Sequence, residues 1–260
     1  MTDDRGLKDK VIVITGGCGD IGSATGRKLA KLGARVAIWD ILDQAAGHAH
    51  VVGLGGVEYR RIDQGNPAEI HAGIEGLAKR LGRLDVVIGN AVHASLGRIL
   101  DRTWQDWQQS FLVNVTGCAM LSQAAVKVML KQSRDDGGVR GKILFTSSWV
   151  GTHPYPGSID YCVSKAALDH LVRLVAQEYA ADGILVNAVS PGILDAGSSR
   201  KALARKPELL KMMLAAIPSD KLGTPEQIAD AYVFLCSGES NYMTGQIMFV
   251  DGGASLTKRD

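Results

Sequence analysis

A 260-residue chain with 46% hydrophobic residues and 31 glycines is large enough to bury its core without disulfides or metal, and its composition suits an α/β protein with many short turns. Its 29 basic and 27 acidic residues are interspersed and leave a net charge of +2, which argues against a nucleic-acid partner and against an acidic solvating tail. Cys18, Cys118, Cys162 and Cys236 form no CxxC pair, the opening MTDDRGLKDK is polar, and no apolar run nears the roughly 18 residues of a membrane helix, so a metal-free, cytoplasmic protein with no membrane partner is expected.

In chain order, strand-like runs occupy residues 11–15, 35–40, 57–63, 84–90, 142–148, 184–190 and 246–251. They are short, rich in Val, Ile and Leu, and mostly not alternating, as parallel strands covered on both faces should be. Between them, helical periodicity runs over 22–32, 67–81, 103–131, 159–181 and 225–236. Gly33 and Gly183 follow two of these helices as stops, and Thr224-Pro225 reads as an N-cap with proline at the first helical position. The alternation predicts an α/β fold, a Rossmann-type doubly wound seven-stranded parallel sheet with helices on both faces, in a single domain over 1–260. Residues 132–141 read as a polar surface loop. Residues 193–223 interrupt the rhythm after a strand's carboxyl end, where a substrate lid would sit; a plain surface helix pair is the alternative.

The first strand runs directly into Thr15-Gly16-Gly17-Cys18-Gly19-Asp20-Ile21-Gly22, and a helix follows. Glycines let the backbone turn tightly there, and the helix N-terminus offers N–H groups and a positive dipole end to a pyrophosphate. Residues 17–22 fit GxGxxG in a strand–turn–helix context, a weak signal by itself. Asp40 strengthens it, because it closes the second strand at the spacing where a carboxylate accepts from the adenosine ribose hydroxyls. A 2′-phosphate would meet its negative charge, so Asp40 favours NAD over NADP. Asp63 ends the third strand and either accepts from the adenine amino group or caps the strand end.

Tyr161 and Lys165 are four apart on one predicted helix and project from the same face. A nearby ammonium stabilises a phenolate and lowers a tyrosine pKa from its ordinary value of about 10. That suits Tyr161 to act as general base in alcohol oxidation or general acid in ketone reduction. Ser148 ends the preceding strand, where its hydroxyl is placed for a substrate oxygen.

Through TGGCGDIG, LDVVIGNAV, FLVNVTG, SSWVG, YCVSK, LVNAVSPG and TGQIMFVDGG, the sequence resembles the short-chain dehydrogenase/reductases, the group with subunits of about this length, over almost the whole chain. The resemblance implies Tyr161 as acid/base, Lys165 lowering its pKa and holding the nicotinamide ribose, and Ser148, rather than Ser147, orienting the substrate oxygen. Asn114 would support a water that relays protons through Lys165. For the cofactor it implies Gly16, Gly19, Asp20, Ile21 and Gly22 at the pyrophosphate turn and Asp40 with Ile41 at the adenosine ribose. Asp63 and Gln64 follow at the end of the third strand, Asn90 and Ala91 beside the ribose, and Pro191, Gly192 and Ile193 along the nicotinamide. It also implies a homotetramer, with helices 103–131 and 159–181 forming one interface and the C-terminal strand another.

Four positions depart from that family's pattern. Asp20 stands where the turn ordinarily has its middle glycine; a carboxylate facing pyrophosphate would repel it, so Asp20 is expected to turn away and N-cap a helix starting near Ile21. NNAG reads Gly89-Asn90-Ala91-Val92, which loses a side-chain hydrogen bond at Gly89 and adds bulk at Val92. Ala196 replaces a threonine that touches the nicotinamide amide, a loss of about 1 kcal/mol unless Ser198 or Ser199 stands in.

For a small-molecule alcohol or ketone, the expected cleft residues are His93, Ser95, Trp149, His153, Tyr155 and the lid from Leu194 onward. His93 either contacts substrate or caps its loop. Trp149 and Tyr155 either stack on a ring or pack the core or an interface. Arg200, Lys201, Arg205 and Lys206 either attract an anionic substrate or form a solvated helix face. The favoured reading is an NAD-dependent dehydrogenase of a sugar, polyol or cyclic alcohol. A 3-oxoacyl-carrier-protein reductase is the nearest alternative, and a catalytically idle NAD-binding regulatory subunit is the alternative of another class.

Overall fold

In a computed structural model that describes residues 5–95 and 97–256, without the side chains of Ser198 and Lys201, the chain forms seven strands. They are β1 (Val11–Thr15), β2 (Arg35–Asp40), β3 (Val57–Arg61), β4 (Val86–Gly89), β5 (Gly141–Thr146), β6 (Ile184–Pro191) and β7 (Ile247–Val250). All pair in parallel, in the order β3-β2-β1-β4-β5-β6-β7. The predicted doubly wound single sheet is what forms.

The helices are α1 (Asp20–Lys31), α2 (Gln44–Val51), α3 (Pro67–Leu81), α4 (Trp104–Phe111), α5 (Gly117–Met129), α6 (Ile159–Tyr179), α7 (Gly197–Arg205), α8 (Leu209–Ala215) and α9 (Pro225–Cys236). Successive strand residues point to opposite faces, so each strand feeds two cores. Val11, Val13, Trp39 and Phe145 pack with α3, α5 and α6 on one face, while Ile12, Ile14, Ile38 and Leu144 pack with α1, α2 and α9 on the other. Both faces of β1 and β5 are fully covered, which explains their unbroken apolar runs.

Local chemistry sets several helix ends. Asn66 accepts from the N–H groups of Ala68 and Glu69 ahead of Pro67, and Thr224 forms a reciprocal cap with Gln227 ahead of Pro225. Gly183 stands at φ +78 and closes the segment after α6, as expected.

Two helical regions differ from expectation. α2 was not predicted, because QAAGHAHV is short and has almost no amphipathic pattern; Asp43 caps it, and Gly47 is required because a side chain there would run into the Tyr59 ring. The single helix expected over 103–131 is α4 and α5 joined through a π-helical turn, Leu112–Thr116. By length and composition Trp104–Met129 is apolar enough to cross a membrane, contrary to expectation, yet Leu121, Ala125 and Met129 are buried in the core, so it is a core helix.

From β1 the chain winds outward through β2 and β3, then returns to place β4 on the other side of β1. The carboxyl ends of β1 and β4 therefore diverge to form a crevice at the switch point.

Candidate active site

The glycine turn lies at this crevice. Gly16 has φ +59, and a Cβ on it would sit 2.7 Å from the Ala91 Cα; a Cβ on Gly22 would sit 2.6 Å from the Gly16 carbonyl oxygen. The turn is thus pressed against the start of α1 and the end of β4 with no room for side chains. Gly19 is the N-cap of α1 and supplies no side-chain bond, so the first-turn N–H groups stay available to an anion. Asp40, at the end of β2, accepts from the N–H groups of Cys18 (3.1 Å) and Ile41 (2.8 Å), which fixes its carboxylate beside the turn. An open helix N-terminus, a compressed glycine turn and a carboxylate at the end of β2 fit a dinucleotide.

The remaining expected cofactor residues frame the crevice. Asn90 donates to the carbonyls of Thr15 (3.1 Å) and Gly16 (3.0 Å) and accepts from Thr146, tying β4 to the turn. Gln64 is 3% exposed; it accepts from Thr15 Oγ1 and donates to the carbonyls of Ala91 and Val113, so its side chain braces the crevice floor. β3 stops at Arg61, so Asp63 lies two residues beyond the strand rather than at its end, and its Oδ1 accepts from Gly65 N at 2.7 Å. Pro191 ends β6, and Gly192 packs so closely on Asp251 that a Cβ would lie 2.6 Å from its Cα.

The chemical groups converge from three elements. Asn114, fully buried in the π turn, accepts from His93 N (2.8 Å) and donates to His93 O (2.8 Å) and Ser164 Oγ (2.9 Å). It clamps the loop after β4 onto α6, so its side chain is committed to protein partners and the His93 main chain is a fixed part of the wall. Ser148 follows β5 and is near enough to the Tyr161 phenol to pull its pKa down. Lys165 is 2% exposed; its Nζ donates to the Thr146 carbonyl at 2.7 Å and lies 5.6 Å from the Tyr161 ring centroid.

Burial pushes Tyr161 up to about 12, with Ser148 pulling the other way. Burial likewise pulls Lys165 down to about 8, opposed by Cys118 and Asp169. The expected lowering of Tyr161 by Lys165 is therefore corrected. Loss of water around the phenol sets the direction, while the Lys165 ammonium, with one N–H on the Thr146 carbonyl, still lies 5.6 Å from the Tyr161 ring centroid.

The cleft wall is braced in a way the sequence did not reveal. Asp160, adjacent to Tyr161 and fully buried, accepts from Ser95 Oγ (2.8 Å) and Ser110 Oγ, with Arg102 Nη1 at 4.0 Å. Arg102 also donates to Ser95 at 2.8 Å. Ser95, expected in the cleft, is instead bonded into this network. Gly97 N donates to Gly157 O at 2.8 Å, joining the same two loops. Trp149 and Tyr155 form an edge-on pair at 5.6 Å, so each packs first on the other, and His153 Nδ1 pairs with Thr152 Oγ1 at 2.9 Å.

Each family departure has a structural counterpart. Phe145 fills the space at Gly89, where a Cβ would lie 2.6 Å from its ring. Val92 is half exposed, and Ala196 is the buried N-cap of α7. The substitutes proposed for the missing threonine include Ser198, whose side chain lies outside the described residues, as does that of Lys201. Asp20 is not the cap of α1, which begins at Asp20 itself. Its carboxylate accepts from Gly197 N (2.8 Å) and Arg200 Nη1 (3.1 Å) of α7. Ser147, the less suited serine, bonds Asp169, which shares the Tyr161 and Lys165 face at i+8 and was readable from that spacing.

A family model described as Enoyl-(Acyl carrier protein) reductase matches residues 18–255. The chain is 35% identical over 254 residues to 2-(S)-hydroxypropyl-CoM dehydrogenase 3 of Xanthobacter autotrophicus, covering 95% of this chain and 97% of that protein. It is 34% identical over 254 residues to 3alpha-hydroxysteroid dehydrogenase of Mediterraneibacter gnavus, covering 95% and 98%. The crystal structure of a short-chain type dehydrogenase/reductase from Mycobacterium marinum matches at a TM-score of 0.83 and 31% identity over 98% of both chains. These near full-length likenesses, on the parallel sheet and crevice described above, make the chain a member of the short-chain dehydrogenase/reductases, oxidoreductases of CH–OH and C=O groups.

Proposed function

We propose that the protein is an NAD(H)-dependent oxidoreductase that passes hydride between nicotinamide C4 and a secondary alcohol or ketone, with a sugar, polyol or cyclic alcohol as substrate. The observation that carries this reading is Lys165, 5.6 Å from the Tyr161 ring centroid and bonded to the Thr146 carbonyl, beside Ser148 at the carboxyl edge of the sheet that bears the glycine turn. The cofactor supplies the hydride acceptor or donor. Ser148 donates to the substrate oxygen, and Tyr161 takes the hydroxyl proton in oxidation or returns it in reduction. Lys165 carries the charge that steadies the phenolate. Asn114 holds the wall, and its main chain, not its committed side chain, supports the relay water.

Asp40 supports NAD over NADP, since its fixed carboxylate would repel a 2′-phosphate. The aromatic pair Trp149–Tyr155 supports a ring-bearing substrate, as does the name of the hydroxysteroid-acting relative. Residues 193–223 act as the lid. Exposed Trp104, Leu112, Val163 and Leu174 on the α4–α5 and α6 surfaces, with Phe249 on β7, support a homotetramer. Light scattering after size exclusion tests the tetramer.

A coupled absorbance screen over polyols, cyclic alcohols, sterol ketones and a 3-oxoacyl thioester, with both cofactors, tests the activity. Turnover with NAD at least about tenfold above NADP is expected, and Tyr161→Phe should abolish it while sparing NADH binding. NADPH-dependent reduction of the thioester would favour the carrier-protein reductase. NADH binding without turnover of any compound would favour the idle subunit.

A further inference from the structure

Asp20 joins two parts of the molecule that are distant in sequence. Its Oδ2 accepts from Gly197 N at 2.8 Å and its Oδ1 from Arg200 Nη1 at 3.1 Å. Gly197 opens α7, whose N-cap, Ala196, has no side-chain acceptor to offer. The Asp20 carboxylate therefore caps α7 from outside, at the positive end of that helix dipole. Arg200 is anchored at its base by Asp195, through Nε to Oδ1 at 3.2 Å and through Nη2 to the Asp195 carbonyl, so its remaining face is presented to Asp20. The bonded pair Arg200–Asp20 lines one cleft of about 270 Å³ together with Cys18, Gly19 and Arg27.

At the other end of the insertion, Asp195 N donates to Gly223 O (2.9 Å) and Gly223 N to Ile193 O (3.0 Å). The segment is thus closed at its base and held to the nucleotide turn by Asp20. A carboxylate at this turn is a liability for a pyrophosphate unless a cation neutralises it.

We propose that Asp20 and Arg200 form an electrostatic clasp in which the lid arginine neutralises the acid of the nucleotide turn, so that dinucleotide affinity depends on the lid being in place. Both residues are positioning groups; the bonds to Gly197 and Arg200 hold α7, and Arg200 neutralises the Asp20 charge. This rests on the nucleotide-site reading above.

The test uses the full-length protein and two readouts. Hydrogen exchange over 197–205, without nucleotide, reports the clasp itself. Asp20→Gly and Arg200→Gln should each speed it roughly two- to fivefold, the range of an exposed ion pair, with Asp20→Asn between wild type and Asp20→Gly and α9 unchanged. NADH fluorescence titration reports the consequence. Arg200→Gln should weaken NADH roughly fivefold by leaving Asp20 uncompensated, Asp20→Gly should not weaken it, and the double variant should regain wild-type affinity. Unchanged exchange over 197–205 in both single variants would overturn the clasp. A double variant as weak as Arg200→Gln would overturn the neutralisation, since Arg200 would then act on the nucleotide directly. A wild-type protein that binds neither NADH nor NADPH defeats the nucleotide reading, and with it the affinity clause, while the exchange data still judge the clasp.

Discussion

Lys165 donates to the carbonyl oxygen of Thr146, the last residue of β5, at 2.7 Å, so the ammonium is bonded to the sheet edge and buried with it. Burial holds its pKa at about 8 against an ordinary 10.5. A lysine whose folded value is depressed binds fewer protons than the unfolded chain between those two values, so its penalty is fully present below about 8 and is relieved as pH rises towards 10.5. Lys165→Met should therefore shrink the pH-dependent gain in thermal stability across that window, read by melting curves. It should also cut turnover by about a hundredfold or more, because no charge remains to steady the phenolate.

The pH dependence of the rate follows from Tyr161, which burial pushes up to about 12. Oxidation needs the phenolate, so kcat/KM for an alcohol should climb from about pH 6 to about pH 10, while reduction, which needs the neutral phenol, should be fastest at the low end. Initial rates in both directions test this. An oxidation profile that is already flat at neutral pH would mean a phenol far more acidic than its burial allows. For stability the sign is opposite to that of Lys165: the neutral phenol's contribution is present below the ordinary value of 10 and is lost as pH rises through about 12.

Restoring the family residue at position 89 should harm this chain. A Cβ there would lie 2.6 Å from the Phe145 ring, inside the core. Gly89→Asn is expected to lower stability by about 1–3 kcal/mol through overpacking, and a smaller residue at Phe145 should recover part of it. Chemical denaturation of the single and double variants measures both.

Asp160 should be intolerant for a different reason. Removing its carboxylate takes one acid from Arg102, which keeps Asp106 at 3.9 Å, and takes the shared buried acceptor from Ser95 and Ser110. Asp160→Ala is expected to lose about 1–3 kcal/mol, with Asp160→Asn milder because it keeps an acceptor oxygen. Protease resistance of residues 93–103 would follow the same order.

Where local rules act alone, the sequence was easy to read. Unbroken apolar strands, the Thr224-Pro225 start and the Gly183 stop all appear where expected, because each follows from neighbours in the chain. The Tyr161–Lys165 pair was legible for the same reason, as a one-turn spacing on α6. Features set by distant contacts were not. The π turn depends on where Asn114 must reach His93 and Ser164, and α2 owes its place to Gly47 lying on Tyr59. The destination of Asp20 was missed because its partner is 177 positions away. Ser95 looked like a cleft residue by its position after β4, and only tertiary packing shows that Asp160 and Arg102 claim it.

The paired bonds between residues 193–195 and Gly223 make the intervening stretch a cassette with a closed neck. Its length and composition can drift without altering how β6 hands the chain to α9, so selection for a new substrate need not disturb the sheet. Asp20 with Arg200, and Ser219 with Gly252, are exceptions, tethers that any exchanged cassette would have to keep or abandon at both ends together.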